Sequence, residues 1–212
     1  MAKKKRKKRR KRQPSPKQIQ EGLYLDVEGF APRRGIPRPP VLCGYRIGNE
    51  GPVKQVVFTR RYFSAARASG LETSSDRKHF FLDLMKDTKG RKLFAFTEHE
   101  QNVIKQATGF QYRKKYRNAH AIAKRWVKRE FPRESTRGLA LIDYLRLAGI
   151  KVPTKYGKDK VTDWLREVRR YSVSQAKWKK APASARKAWD NILAHNQFDI
   201  TAMGELMEVI QE

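Results

Sequence analysis

Apolar and polar residues alternate along Leu23-Tyr24-Leu25-Asp26-Val27-Glu28, and the pattern stops at Gly29. A period of two is that of a strand, with Leu23, Leu25 and Val27 on one face and both acids on the other. A proline-rich loop through Pro32, Pro37, Pro39 and Pro40 leads to two more β-type runs, around 41–47 and 53–59. The short Asn49-Glu50-Gly51 connection predicts that these two form a hairpin. Phe80, Phe81, Leu82 and Leu84 have mostly helical spacing within 76–86, and Lys89-Gly90 ends that helix. A fourth strand is expected at 93–96, then a helix at 99–106 closed by Gly109. Further helices are expected near 118–129, 139–148, 161–170 and from 184 onward, the last preceded by Pro182, where a helix start belongs. Three strands, a helix, a strand and then helices make an α/β or α+β order rather than a bundle.

Charge changes the picture. Lys and Arg number 49 against 21 acidic residues, a formal net charge of +28 over 212 residues. No folding requirement explains such an excess, which opposes compaction, and a polyanionic partner does. Nucleic acid fits, since Lys and Arg that neutralise phosphates release condensed counterions. Residues 3–12 are an unbroken basic run, and subtracting those ten charges from +28 leaves +18, so the remainder is basic in its own right. The run has nothing apolar to bury; residues 1–18 are read as a disordered arm and 19–212 as one folded domain. No long apolar run offers a spanning helix and no h-region follows the N-terminal charges, which points to an intracellular protein associated with nucleic acid. In a prokaryote that means cytoplasm or nucleoid. In a eukaryote the basic run would act as a nuclear signal. Cys43 is the only cysteine, which leaves no intramolecular disulfide or cysteine-based zinc site, and its apolar neighbours predict a buried thiol.

The acids bring candidate chemistry. Asp26 and Glu28 project from the same strand face, a place that suits Mg²⁺ or Mn²⁺, since hard divalent ions take carboxylate oxygens and keep positions open for water and phosphate. His195 and Asp199, four residues apart, share a face of the last helix. Asp199 can complete a metal site while His195 takes a proton from an attacking water, the division of labour a two-metal phosphodiester hydrolysis needs. Glu100 opens a helix just past the fourth strand, at the carboxyl end of the sheet, where α/β proteins place ligand sites; the neighbouring Glu98 reads equally as a helix cap. Each pair alone also describes a solvated surface, and the reading rests on their combination.

In this order, Asp26-Val27-Glu28-Gly29, then Thr97-Glu98-His99-Glu100, then His195-Asn196-Gln197-Phe198-Asp199 resembles the three motifs of the DEDD exonuclease superfamily. The similarity is greatest to the branch of predicted nucleases associated with RecB-type domains, with D-x-E-G first and a Glu as the middle acid. Residues 139–145 also resemble the segment that precedes the final helices there. The resemblance spans 22–210. It implies a ribonuclease-H-like mixed sheet flanked by helices, metal ligation by Asp26, Glu28, Glu100 and Asp199, a proton-transfer role for His195, and two-metal 3′-to-5′ exonuclease or related ribonuclease activity. Two departures stand out: His replaces Tyr in what is otherwise the tyrosine form of the last motif, and the middle acid is longer than Asp by a methylene.

Basic residues interleaved with aromatics predict a nucleic-acid surface made of Arg113, Lys114, Lys115, Arg117, Lys124, Arg125, Lys128, Arg129, Trp178 and Lys179, with Trp178 free to stack on a base and the cations contacting mainly the phosphate backbone of DNA or RNA. Trp178, flanked by lysines, is expected to be exposed, whereas Trp126, Trp164 and Trp189 are expected in the core. The rival reading is a noncatalytic nucleic-acid-binding protein, a ribonucleoprotein component that keeps the scaffold with structural acids, as part of a larger nucleoprotein assembly.

Overall fold

A computed structural model describes residues 13–30, 38–153 and 160–211; the basic run at 3–12 and part of the proline-rich loop lie outside it. The chain opens with α1 (Pro16–Gln20), where Ser15 and Gln18 form a capping box and Pro16 takes the first turn. Its Ile19 is buried in the core, and the Tyr24 hydroxyl donates to the Ile19 carbonyl at 2.9 Å. The capped turn thus docks one apolar side chain, Ile19, against the core.

Next come β1 (Leu23–Glu28), β2 (Leu42–Ile47) and β3 (Lys54–Val57), then a 3-10 turn at Arg60–Tyr62, α2 (Phe63–Ala68) and the two-residue β4 (Glu72–Thr73). They are followed by α3 (Arg77–Asp87), β5 (Leu93–Ala95), α4 (His99–Thr108), β6 (Tyr116–Asn118) and α5 (Ala119–Glu130). Finally α6 (Leu141–Leu147), α7 (Lys160–Tyr171), α8 (Gln175–Lys179) and α9 (Ala183–Val209) complete an α/β fold. The six strands form one mixed sheet in the order β4-β3-β2-β1-β5-β6. β1 is antiparallel to β2 and parallel to β5; β2 and β3 make the expected hairpin, and β6 runs parallel to β5.

The alternation in β1 sorts its side chains between two layers. Leu23, Leu25 and Val27 pack with Phe81, Leu84, Val103 and Ile104 of α3 and α4. Tyr24 packs on the other face with Phe94, α5, α6 and the second half of α9. The first half of α9 closes a third cluster with Leu42, Val57, Tyr62 and α7. At 27 residues α9 is about 40 Å long, enough to cross the sheet.

Five elements depart from the sequence reading. α1, α2, β4, β6 and α8 lie where no element was expected, all but α2 being five residues or shorter. In α8 the side chain of Trp178 turns into the cluster with Ala66, Ala185 and Trp189 and is 7% exposed, so it is a core residue and not the exposed stacking side chain expected between lysines. Its lysine neighbours point elsewhere because each residue step along a helix rotates the side-chain direction by about 100°. Trp126 and Trp189 are buried as expected, whereas Trp164 is only half-buried. Cys43 is a buried free thiol. Among the described residues no helix is long and apolar enough to cross a membrane.

Candidate functional site

Asp26 and Glu28 stand on the face of β1 that α9 covers. Asp26 lies opposite Gly44 of β2, and Gly44 opposite Gln55 of β3, so the three form one rung across adjacent strands. Over this rung lies Asn196, fully buried. Its Nδ2 donates to Asp26 Oδ2 at 2.7 Å and to the Asp26 carbonyl at 3.3 Å, while its Oδ1 accepts from Gln55 Nε2 at 3.0 Å. Gln55 Nε2 also donates to the Leu193 carbonyl at 2.9 Å. A glycine is required at 44 because a Cβ there would collide with the Asn196 amide and with Ile200 Cδ1. This contact sets the depth and the rotation of α9 over the sheet.

With α9 so fixed, His195 and Asp199 face Glu28. His195 Nδ1 lies 3.3 Å from Asp199 Oδ2 and 3.8 Å from Glu28 Oε1. Among the described residues, Glu28, His195 and Asp199 each offer a ligand atom within 4.8 Å of the other two, a spacing one cation can bridge. Their side chains keep 15%, 17% and 22% exposure, enough for water and a small ion to enter. Trp164 of α7 stands edge-on to His195, with ring centroids 6.4 Å apart, and walls this side of the site.

Asp26 and Glu100 are not members of that group of three. Asp26 is engaged by Asn196. Glu100 begins the buried stripe Glu100, Val103, Ile104, Thr108 of α4, and its Oε2 accepts from the Thr97 N–H at 3.3 Å and the Thr97 hydroxyl at 3.1 Å. Both still share the field of the cluster. Burial pushes Asp26 well above the ordinary carboxylate range, as do Asp199 and Glu100, against the pull of Asn196 and His195. Burial and then Asp26, Asp199 and Glu100 push Glu28 the same way. Burial raises Glu100 to about 7 despite its hydrogen bonds, with a smaller push from Asp199. For His195, burial pulls downward, but the hydrogen bond and charge of Asp199, then Asp26, outweigh it and leave the imidazole above its ordinary value. These are acids crowded together in need of a positive charge.

Stability should therefore depend on pH in a defined direction. Unfolded, Glu100 loses its proton near 4.5; folded, near 7, so between those values the folded state holds more protons and stability falls as pH rises. The shift corresponds to about 3 kcal/mol, lost across that window and level above it. The raised His195 acts in the same direction, since its contribution is lost as pH rises through its folded value. Urea unfolding in EDTA should show the decline, and Glu100→Gln should flatten it; an equally steep decline in the variant would place its origin elsewhere.

Of the basic residues read as a nucleic-acid surface, Arg113, Lys114, Arg117 and Arg125 line one groove beside β6. Lys115 and Lys124 are half-buried, and Lys128, Arg129 and Lys179 are exposed outside that groove. Asn196, Gln55, Gly44 and Trp164 are positioning residues whose roles were not assigned from sequence. One signal was present: Ile192, Asn196 and Ile200 recur every four residues, and an amide inside such an apolar stripe demands a buried polar partner.

No family model matches the chain, and no curated protein or solved structure matches it significantly.

Proposed function

We propose that this protein is a nuclease that hydrolyses phosphodiester bonds of DNA or RNA with Mg²⁺ or Mn²⁺, as a DEDD-type 3′-to-5′ exonuclease on a ribonuclease-H-like scaffold. The observation that carries the reading is the meeting of Glu28, His195 and Asp199, far apart in sequence, with ligand atoms within 4.8 Å of one another and with Asp26 and Glu100 in the same field. The sheet adds support: it is mixed, with β2 antiparallel to the central β1 and β5 and β6 parallel on its other side, and a mixed sheet flanked by helices is what the family resemblance implies.

The donor set fits a hard divalent ion, because closely spaced, partly accessible carboxylate oxygens are its preferred ligands, and Glu28, whose proton affinity burial raises, gains from a cation that replaces its proton. Glu28 and Asp199 would hold it, with Asp26 and Glu100 completing a second position. When bound, such ions polarise the scissile phosphate and stabilise the leaving oxygen. His195 turns Nδ1 toward the carboxylates and takes the proton of the attacking water there, with Asp199 stabilising the imidazolium that forms. Asn196 fixes the Asp26 carboxylate, and Trp164 limits the motion of the imidazole.

One observation favours the noncatalytic alternative: Glu100 is folded back on Thr97 and Asp26 on Asn196, as structural acids would be. Two measurements separate the readings. End-labelled single strands of DNA and RNA should be shortened from the 3′ end with Mg²⁺ or Mn²⁺ and left intact in EDTA. Mn²⁺ should also raise the Tm, more at pH 8 than at pH 5, because the carboxylates must lose their protons to ligate. No cleavage of either nucleic acid, together with an unmoved Tm, would leave only the binding protein.

A further inference from the structure

The sheet ends in β6, which pairs with β5 alone in the sheet order. Beside it runs a groove of about 980 Å³ between the start of α1, α4 and α5. Among the described residues five cations, Lys105, Arg113, Lys114, Arg117 and Arg125, line it against a single acid, Glu98. Amides of Gln101, Gln111 and Asn118 fill much of the remaining wall. Arg117 spends one nitrogen on the Lys114 and Tyr116 carbonyls, and its buried Nε has no partner among the described residues.

Phe110 is next in the chain to the lining Gln111 and is 60% exposed. It is presented rigidly: Gly109 turns the chain in the left-handed conformation, and the Phe110 N–H donates to Thr108 Oγ1 at 3.1 Å. An exposed, backbone-fixed aromatic costs solvation and contributes nothing to the core.

We infer that this groove binds single-stranded nucleic acid, with a base stacked on Phe110 and the phosphates following Arg113, Arg117 and Arg125. Cations for phosphates, amides for base edges and an aromatic face for stacking are the three chemistries a single strand offers together. A duplex is read by an element that protrudes into its grooves, whereas this surface is recessed. The inference does not depend on cleavage, and its test is run where cleavage is absent.

The experiment is fluorescence anisotropy of the full chain in EDTA with labelled oligo(dT) and with a hairpin duplex of equal charge. Phe110→Ala should weaken oligo(dT) binding about 10-fold at an unchanged salt slope, with the duplex unaffected. Joint Arg113→Gln and Arg125→Gln should lower the slope of log K against log salt by about 1.4 for oligo(dT). Joint Lys78→Gln and Lys89→Gln, equal in charge but exposed outside the groove, should leave that slope in place. A control pair that lowers it as much as the groove pair, or Phe110→Ala binding like the parent, overturns the inference. Photocrosslinking to a strand carrying 5-iododeoxyuridine gives a second reading: an adduct on the peptide containing Phe110 is expected, and adducts only elsewhere also overturn it.

Discussion

Replacing Asp26 with Asn is expected to reduce metal-dependent cleavage of a labelled oligonucleotide by ~10³-fold or more, on the order of 4 kcal/mol of barrier. The side chain keeps its size, and the variant amide can still accept from Asn196 Nδ2 through its oxygen, so the shape of the site should survive. What goes is a negative charge that burial, Asp199 and Glu100 all disfavour. The same variant should thus unfold at higher denaturant in EDTA, by about 1 kcal/mol, since removing one of several crowded charges relieves repulsion. Opposite movement of activity and stability is the signature of an acid kept for chemistry. Cleavage at the parental rate would trace the activity to another site or to a contaminant, and a marked loss of stability would make Asp26 a structural residue.

Gly44→Val should cost about 3 kcal/mol of stability in urea unfolding and should lower cleavage with it. The added carbons would occupy the space of the Asn196 amide and Ile200, so α9 must lift or Asn196 must rotate away. Either response leaves Gln55 and Asp26 without the bonds that Asn196 supplies, and unsatisfied buried groups are costly. His195 and Asp199 move with the helix, so the 3.8 Å approach of His195 to Glu28 opens. Gly44→Ala should show a smaller effect of the same sign. A change in the Val variant below about 0.5 kcal/mol would show that α9 is not seated on this rung.

Much of this was legible in local pattern. The period of two in β1 located both acids on one face, and the four-residue spacing placed His195 beside Asp199, because strand and helix geometry relate near neighbours without reference to the rest of the chain. The Asn49-Glu50-Gly51 connection and Pro182 likewise marked a hairpin and a helix start through backbone preferences of their own residues. The segment from Tyr116 to Asn118, where no strand was expected, is an edge strand, since three residues carry too little pattern and pairing with β5 decides their conformation. Trp178 shows the same limit for burial: its lysine neighbours advertise solvent, but a single turn of helix docked on α2 and α9 turns the indole inward.

The amino-acid sequence by itself determined a strongly basic α/β chain, the strand and helix that carry its acids, and which of them share a face. The convergence of these acids was decided only by the tertiary structure. Asn196 lies 170 residues from Asp26 and 141 from Gln55, and it joins them through a space that exists because Gly44, on the strand between, has no side chain. Strand register and helix depth are collective outcomes of packing, so no periodicity announces them. They bring Glu28, His195 and Asp199 to one place and leave Asp26 and Glu100 held by neighbours of their own.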